Sequence, residues 1–199
     1  MKFFKHQLFY PTLLLCTILA ACNQSSQNTA VSESDTTKTP QSKLNRDSLL
    51  IPGVSAGNIA IEQDASEALK TLGKPDSSDA AMQKTVAFWY KEHDPRSTSF
   101  AIYTVRDTGS NPIARIRQIR LNSPAYRTED GLGVSSPLSL LKDKFDLKKV
   151  SLSNASPRNY DLYDSHQGIA FEITAEGNCA AVIIHRKNEP LKETYLPLR

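Results

Sequence analysis

The amino-acid sequence predicts an α+β fold of two tandem units, each a short helix followed by an antiparallel meander. Three observations carry this expectation. Asp64 to Pro75 and Ser136 to Phe145 both place apolar residues at helical spacing between turn-forming residues. Each is followed by strand-like runs whose connections are too short for a parallel crossover. Leu138, Leu141 and Phe145 repeat the spacing of Ala65, Ala68 and Leu72 at a displacement of 73 positions, and the run from Tyr160 to His166 echoes Phe88 to His93 at the same displacement. Generic alternation of strand and turn also imitates a repeat, and the later strands need shorter offsets.

The N-terminal run opens with Lys2 and Lys5, continues through an apolar core from Leu8 to Leu19, and closes on Leu19-Ala20-Ala21-Cys22. This resembles a bacterial lipoprotein signal with its lipobox. The resemblance implies a signal peptide over 1–21 and a mature chain whose first residue, Cys22, carries lipid, palmitate included, as its membrane anchor. A retained transmembrane helix would need about 20 apolar residues and this run is shorter. Cleavage without lipid would leave the cysteine at the junction a coincidence, and a buried core helix fits poorly with the polar stretch after Cys22. Residues 22–48 are rich in Ser, Thr, Gln and Asn and too poor in large apolar residues to offset ordering entropy, so they read as a disordered tether.

The first helix-plus-meander unit spans 49–125. Order begins near Ser48 with the return of apolar residues beside turn formers, and Asn58 to Ile61 is a short strand candidate. Asp64 is placed to cap the first helix with Glu67 at the capping-box spacing, and Gly73 and Pro75 stop it. Strands follow at Thr85–Tyr90, Ser99–Val105 and Ala114–Leu121, separated by the turns at His93–Arg96 and Asp107–Pro112.

The second unit spans 126–199. Gly131-Leu132-Gly133 lacks the remaining signature of a phosphate-binding loop and reads as a turn entering a strand. The second helix is expected to start with Ser136 as N-cap and Pro137 in the first turn. Strands are predicted at Tyr160–His166, Gly168–Ile173 and Ala180–His185. Cys179, the one cysteine left once Cys16 and Cys22 are accounted for, has no disulfide partner and reads as a small buried hydrophobe.

The run from Ala65 to Asp76, with its Leu72-Gly73-Lys74-Pro75, followed by Phe88-Trp89-Tyr90, resembles the small envelope lipoproteins of the SmpA/OmlA type, the BamE-like family. Their pattern is a short helix ending in Leu-Gly-x-Pro, a loop, and an aromatic strand carrying Trp-Tyr. Two such units in tandem are similar to the β-lactamase inhibitory protein fold, which implies one curved sheet with helices on one face. The second unit departs from the pattern, with Phe145-Asp146-Leu147 where Leu-Gly-x-Pro would stand.

The search for chemistry yields no catalytic residue and no metal or cofactor site. His93, His166 and His185 stand in no metal-ligand spacing, and no GxSxG elbow is present. Asp164 and His166 share a strand face that Asp161 does not. Arg115 and Arg117 are expected to share a face, with Arg120 pointing oppositely, and Asn154-Ala155-Ser156 is a surface-loop sequon. With Lys2 and Lys5 removed, 22 basic residues remain against 21 acidic, a balance that argues against nucleic acid as a partner. Aromatic residues are the better binding candidates, Trp89, Tyr90, Tyr103 and Tyr163: alternation turns either Trp89 or its neighbours Phe88 and Tyr90 away from the core, and Tyr90, Tyr103, Tyr126 and Tyr163 are the candidates for a sheet face free of helices. The expectation is a non-enzymatic binding or scaffolding module, held on the cell envelope, at its outer membrane, for an envelope protein partner. The alternative is an inhibitor or sequestering domain for an exported enzyme.

Overall fold

Two helices and twelve strands make up the described residues, 45–151 and 160–192 of a computed structural model, and place the chain in the α+β class. The signal, Cys22, the tether as far as residue 44 and the sequon at 154–156 lie outside them. In chain order the elements are β1 (Leu49–Ile51), β2 (Ser55–Ala56), β3 (Ile59–Ala60), α1 (Ala65–Leu72), β4 (Ser77–Ala81), β5 (Lys84–Tyr90), β6 (Ser99–Arg106) and β7 (Ala114–Leu121). Then come β8 (Arg127–Thr128), α2 (Leu138–Lys144), β9 (Lys148–Val150), β10 (Asp161–Ser165), β11 (Ile169–Ile173) and β12 (Cys179–His185).

The main sheet has eight strands in the order β4-β5-β6-β7-β12-β11-β10-β9. Each helix therefore precedes a meander of four strands, and the two meanders join where β7 pairs antiparallel with β12. A second, small sheet has the order β3-β2-β1-β8, with β8 parallel to β1. The sequence prediction of three strands per meander misses the edge strands β4 and β9. Ser77–Ala81 is almost wholly exposed and carries no apolar alternation, and Lys148–Val150 is too short to show any.

The helix ends follow from local chemistry. The Asp64 side chain accepts from the Ser66 N–H at 2.8 Å, and Gly73, at a φ of 77°, closes α1 with its N–H on the Leu69 carbonyl. Glu67 pairs with Lys70 at 2.8 Å rather than completing the capping box. Ser136 does not cap α2: its hydroxyl accepts from the Gly133 N–H at 3.0 Å, and Pro137 occupies the cap position without a side-chain bond.

Alternation along the strands sorts the core into two sides. Ala68 of α1, Leu141 of α2, Phe145, and Leu50, Ala56 and Ile59 of the small sheet pack in one cluster with Ile102, Ile119, Leu121, Phe171 and Ile184. Both helices and the small sheet thus cover the same face. The other face carries two separate clusters, Val86, Phe88, Ala101 and Tyr103 on β5 and β6, and Leu162, Ala170, Ile183 and Leu191 farther along the sheet.

A register shift between Tyr103 and Thr104, against β7, changes the expected facing of the arginines. Arg120 stands opposite Ala101 and Gln118 opposite Tyr103, so both lie on the helix-free face, and Arg117 lines the same cavity as Tyr103. Gly168, at a φ of +86°, allows the β1–β2 turn to close on the β10–β11 hairpin: a Cβ there would lie 2.5 Å from the Gly53 Cα and 2.6 Å from the His185 carbonyl.

Candidate functional site

β5 sends Val86, Phe88 and Tyr90 to the helix-free face and Ala87 and Trp89 to the helix side. On the helix-free face the Phe88 and Tyr90 rings lie nearly parallel, 6.1 Å apart, and across the strand pair Phe88 meets Ala101 and Val86 meets Tyr103. Of the four tyrosines that are candidates for that face, Tyr90, Tyr103, Tyr126 and Tyr163, only Tyr90 and Tyr103 are there, and they belong to one cluster. The face is not open at this point. Val86, Phe88, Ala101 and Tyr103 are 1%, 7%, 0% and 5% exposed, and burial pushes the Tyr103 phenol up from its ordinary pKa.

Trp89 and Tyr163 lie on the helix side, and both contacts have a local cause. The Trp89 Nε1–H donates to the carbonyl of Gly73, the residue that closes α1, at 3.2 Å. Asp76 ties the same loop to the same strand: its N–H donates to the Phe88 carbonyl at 2.9 Å, and its carboxylate accepts from the Tyr90 N–H at 2.7 Å and faces His93 Nδ1 at 2.5 Å. The Tyr90 N–H and then His93 hold the Asp76 carboxyl below the usual carboxylate range. The Leu72–Pro75 and Trp89–Tyr90 stretches are therefore two halves of one stitch, and Trp89 is its pin. Tyr163 packs on the helix-side cluster with the Lys142 ammonium 5.2 Å above its ring, and Tyr126 packs on Phe100 at 5.9 Å.

Beside the Tyr103 cluster a cavity of about 460 Å³ is lined by Tyr103, Val105, Arg117, Gln118, His185 and Glu189 among others. His185 is 3% exposed. Its Nε2 lies 2.8 Å from Asp164 Oδ1 and its Nδ1 3.1 Å from the Arg186 carbonyl, so both ring nitrogens are occupied by acceptors. The second Asp164 oxygen accepts from the Leu191 N–H at 2.9 Å, and the Lys192 carbonyl accepts from Gln118 Nε2 at 2.7 Å. These bonds pin the chain after β12 back across the helix-free face. Arg117 bridges Asp107 and Glu62, and Arg186 bridges Glu62 and Glu189. The cavity wall is thus an ion-pair lattice whose donors face acceptors of the same chain.

The sequence grouping of Asp161, Asp164 and His166 is not brought together. Asp161 pairs with Lys149, His166 lies 3.8 Å from Asp146, and Asp164 takes His185 instead. Among the described residues, no group of three His, Cys, Asp or Glu is placed to hold a metal ion. Cys179 is buried on the helix side, donates its S–H to the Ala181 carbonyl, and has its thiol pushed up to about 12, first by burial and then by Glu172. At neutral pH it stays a thiol, the poor nucleophile of the pair.

The sequence reading missed three structural pairs on the helix-free face: Arg120 with Glu172, Asp164 with His185, and Asp164 with the Leu191 backbone. Arg120 and Glu172 form a two-bond pair at 2.6 and 2.8 Å, only 2% and 7% exposed at their side chains. Glu172 inside the otherwise apolar β11 was the one available signal, since β7 carries three arginines. A second groove of about 400 Å³ lies between α1 and the sheet, lined by Leu69, Ala87, Ile102 and Pro112 among others. No family model, curated protein or solved structure matches the chain.

Proposed function

We propose that this chain is a lipid-anchored cell-envelope protein, held at the outer membrane through Cys22, that acts as a non-catalytic binding or scaffolding module for another envelope protein. The observation that carries the reading is the separation of the two sheet faces. One side is filled by the helices and the small sheet, while Val86, Phe88, Tyr90, Ala101 and Tyr103 gather on the other beside a charged cavity. Aromatic residues clustered beside arginine and charged rims are the composition of binding hot spots. The lipobox resemblance at Leu19–Cys22 supplies the address.

The β-lactamase inhibitory protein-like, duplicated origin of the two units belongs to the same proposal. A helix and a four-strand meander occur twice along the chain and meet at β7 and β12, which motivates that reading, while the small sheet β3-β2-β1-β8 lies outside it. A photoreactive amino acid at position 90 of the full-length chain, in its own envelope, tests the binding surface. The expected result is an adduct to one discrete envelope protein, with none from position 140, where Leu140 is half exposed on α2. Adducts from position 140 alone would move the partner surface to the helix side.

A further inference from the structure

β4 ends the main sheet with backbone groups turned outward. It is joined to β5 by the two-residue turn Met82-Gln83, whose φ values of 49° and 64° are those of a type I′ hairpin. Ala81 and Lys84 flank that turn and therefore exchange both of their backbone bonds. Alternation along the ladder then turns the N–H and C=O of Asp79 and Ser77 toward β5, and those of Ser78 and Ala80 away from it. The neighbouring bonds agree. The Arg106 N–H donates to the Gln83 carbonyl on the β6 side, and the Asp76 N–H to the Phe88 carbonyl on the β4 side. Ser78 and Ala80 thus present their N–H and C=O groups outward, on a stretch that is exposed from Ser77 to Ala80.

The other ends of the two sheets are blunted in the ways that keep edges from pairing. β9 is three residues long and begins with two lysines, the second of which pairs with Asp161 at 2.8 Å. β3 and β8 have two residues each. β4 has five residues in unbroken register, no lysine, no proline and no side chain larger than Asp, so a further strand can approach along its whole length. Its one charge selects the occupant. Asp79 stands opposite Val86, hence on the helix-free face, is exposed, and makes no ion pair among the described residues. A second copy could use both Ser78 and Ala80 only by pairing antiparallel about Asp79. That sets two carboxylates directly opposite each other in the closer, non-hydrogen-bonded kind of pair, where like charges repel. A strand with Lys or Arg at that position meets no such penalty and gains an opposite-charge pair.

We propose that β4 is a strand-addition site: an extended segment of another protein, carrying a lysine or arginine opposite Asp79, joins the main sheet antiparallel to β4 through the backbone of Ser78 and Ala80. The main-chain bonds supply the attachment and Asp79 the choice of partner. This edge is separate from the aromatic cluster around Tyr90 and does not depend on the binding role proposed there. Its test uses neither the membrane anchor nor position 90, so the two readings fail separately.

The probes are two synthetic peptides, Thr-Val-Thr-Lys-Thr-Val-Thr and its counterpart with Glu in place of Lys, titrated at millimolar concentration into the full chain while backbone amides are followed by nuclear magnetic resonance. The Lys peptide is expected to move the Ser78 and Ala80 N–H signals downfield, as new hydrogen bonds do. It is expected to bind at least roughly twofold more tightly than the Glu peptide, the lower end of the difference between an opposite-charge and a like-charge cross-strand pair. Asp79→Lys is expected to reverse that preference. Neither peptide moving these two signals, or a preference that Asp79→Lys leaves in place, overturns the site. Signals that move instead with the concentration of the chain alone give the edge to a second copy and overturn it as well. Should Asp79→Lys fail to fold, Asp79→Asn decides: the two peptides binding equally supports the assignment, and an undiminished preference refutes it.

Discussion

Arg120 and Glu172 show at single-residue scale how the helix-free face is held. Their two hydrogen bonds cross the seam region of the sheet, Arg120 on β7 and Glu172 on β11, with Ala181 and Ile183 of β12 between them in the ladder. A buried pair of this kind contributes little over an apolar replacement of both partners, but breaking it leaves a buried charge. Arg120→Met is therefore expected to cost about 3 to 5 kcal/mol in urea unfolding, and Arg120→Met with Glu172→Leu to recover most of that loss. Equal losses in the single and double variants would contradict the pairing. Glu172 inside the apolar β11 hints at this pair, but β7 does not single out Arg120 among its three arginines, because the register shift beside Tyr103 breaks the alternation that relates Arg120 to Arg115 and Arg117. Asp164 was equally illegible: its partner His185 is 21 residues away, and its apparent neighbour His166 goes elsewhere.

At the scale of elements, the cap of α1 and the Gly168 turn make separate predictions. The Asp64 carboxyl is held below its ordinary value of 3.8, first by the Ser66 N–H that it accepts. A carboxylate depressed in this way stabilises the folded chain above the unfolded pKa and loses that contribution as pH falls through the folded one. Asp64→Ala should therefore melt below the native chain at about pH 7, and the gap should narrow as pH falls below the unfolded value of about 3.8 and on through the lower folded one. A gap that widens in acid would contradict the cap. Gly168→Ala meets the Gly53 backbone and the His185 carbonyl at a positive φ, and thermal or urea unfolding should register a loss of at least about 2 kcal/mol. The central strands were legible because buried strands alternate: Ala114–Leu121 is the observed β7 to the residue. β4 was not, since an exposed edge of Ser, Asp and Ala buries no face, and Ser136 misled because its hydroxyl serves the preceding turn.

At the scale of the whole molecule, the aromatic candidates divide by the face that each strand position dictates. Trp89 and Tyr163 serve the helix side, while Tyr90, partly exposed beside the buried Tyr103, lies on the face proposed to meet a partner. Two acyl chains on Cys22 would hold this face near the membrane surface, where confinement raises the effective concentration of weak partners. The most direct test joins the two halves of that account in one measurement: photo-crosslinking from position 90 in the native envelope, with and without Cys22→Ser. The account predicts a discrete adduct whose yield falls at least ~tenfold when the anchor is removed, because confinement raises the effective concentration of the partner. A yield unaffected by Cys22→Ser, or an adduct formed equally from position 140, would contradict it.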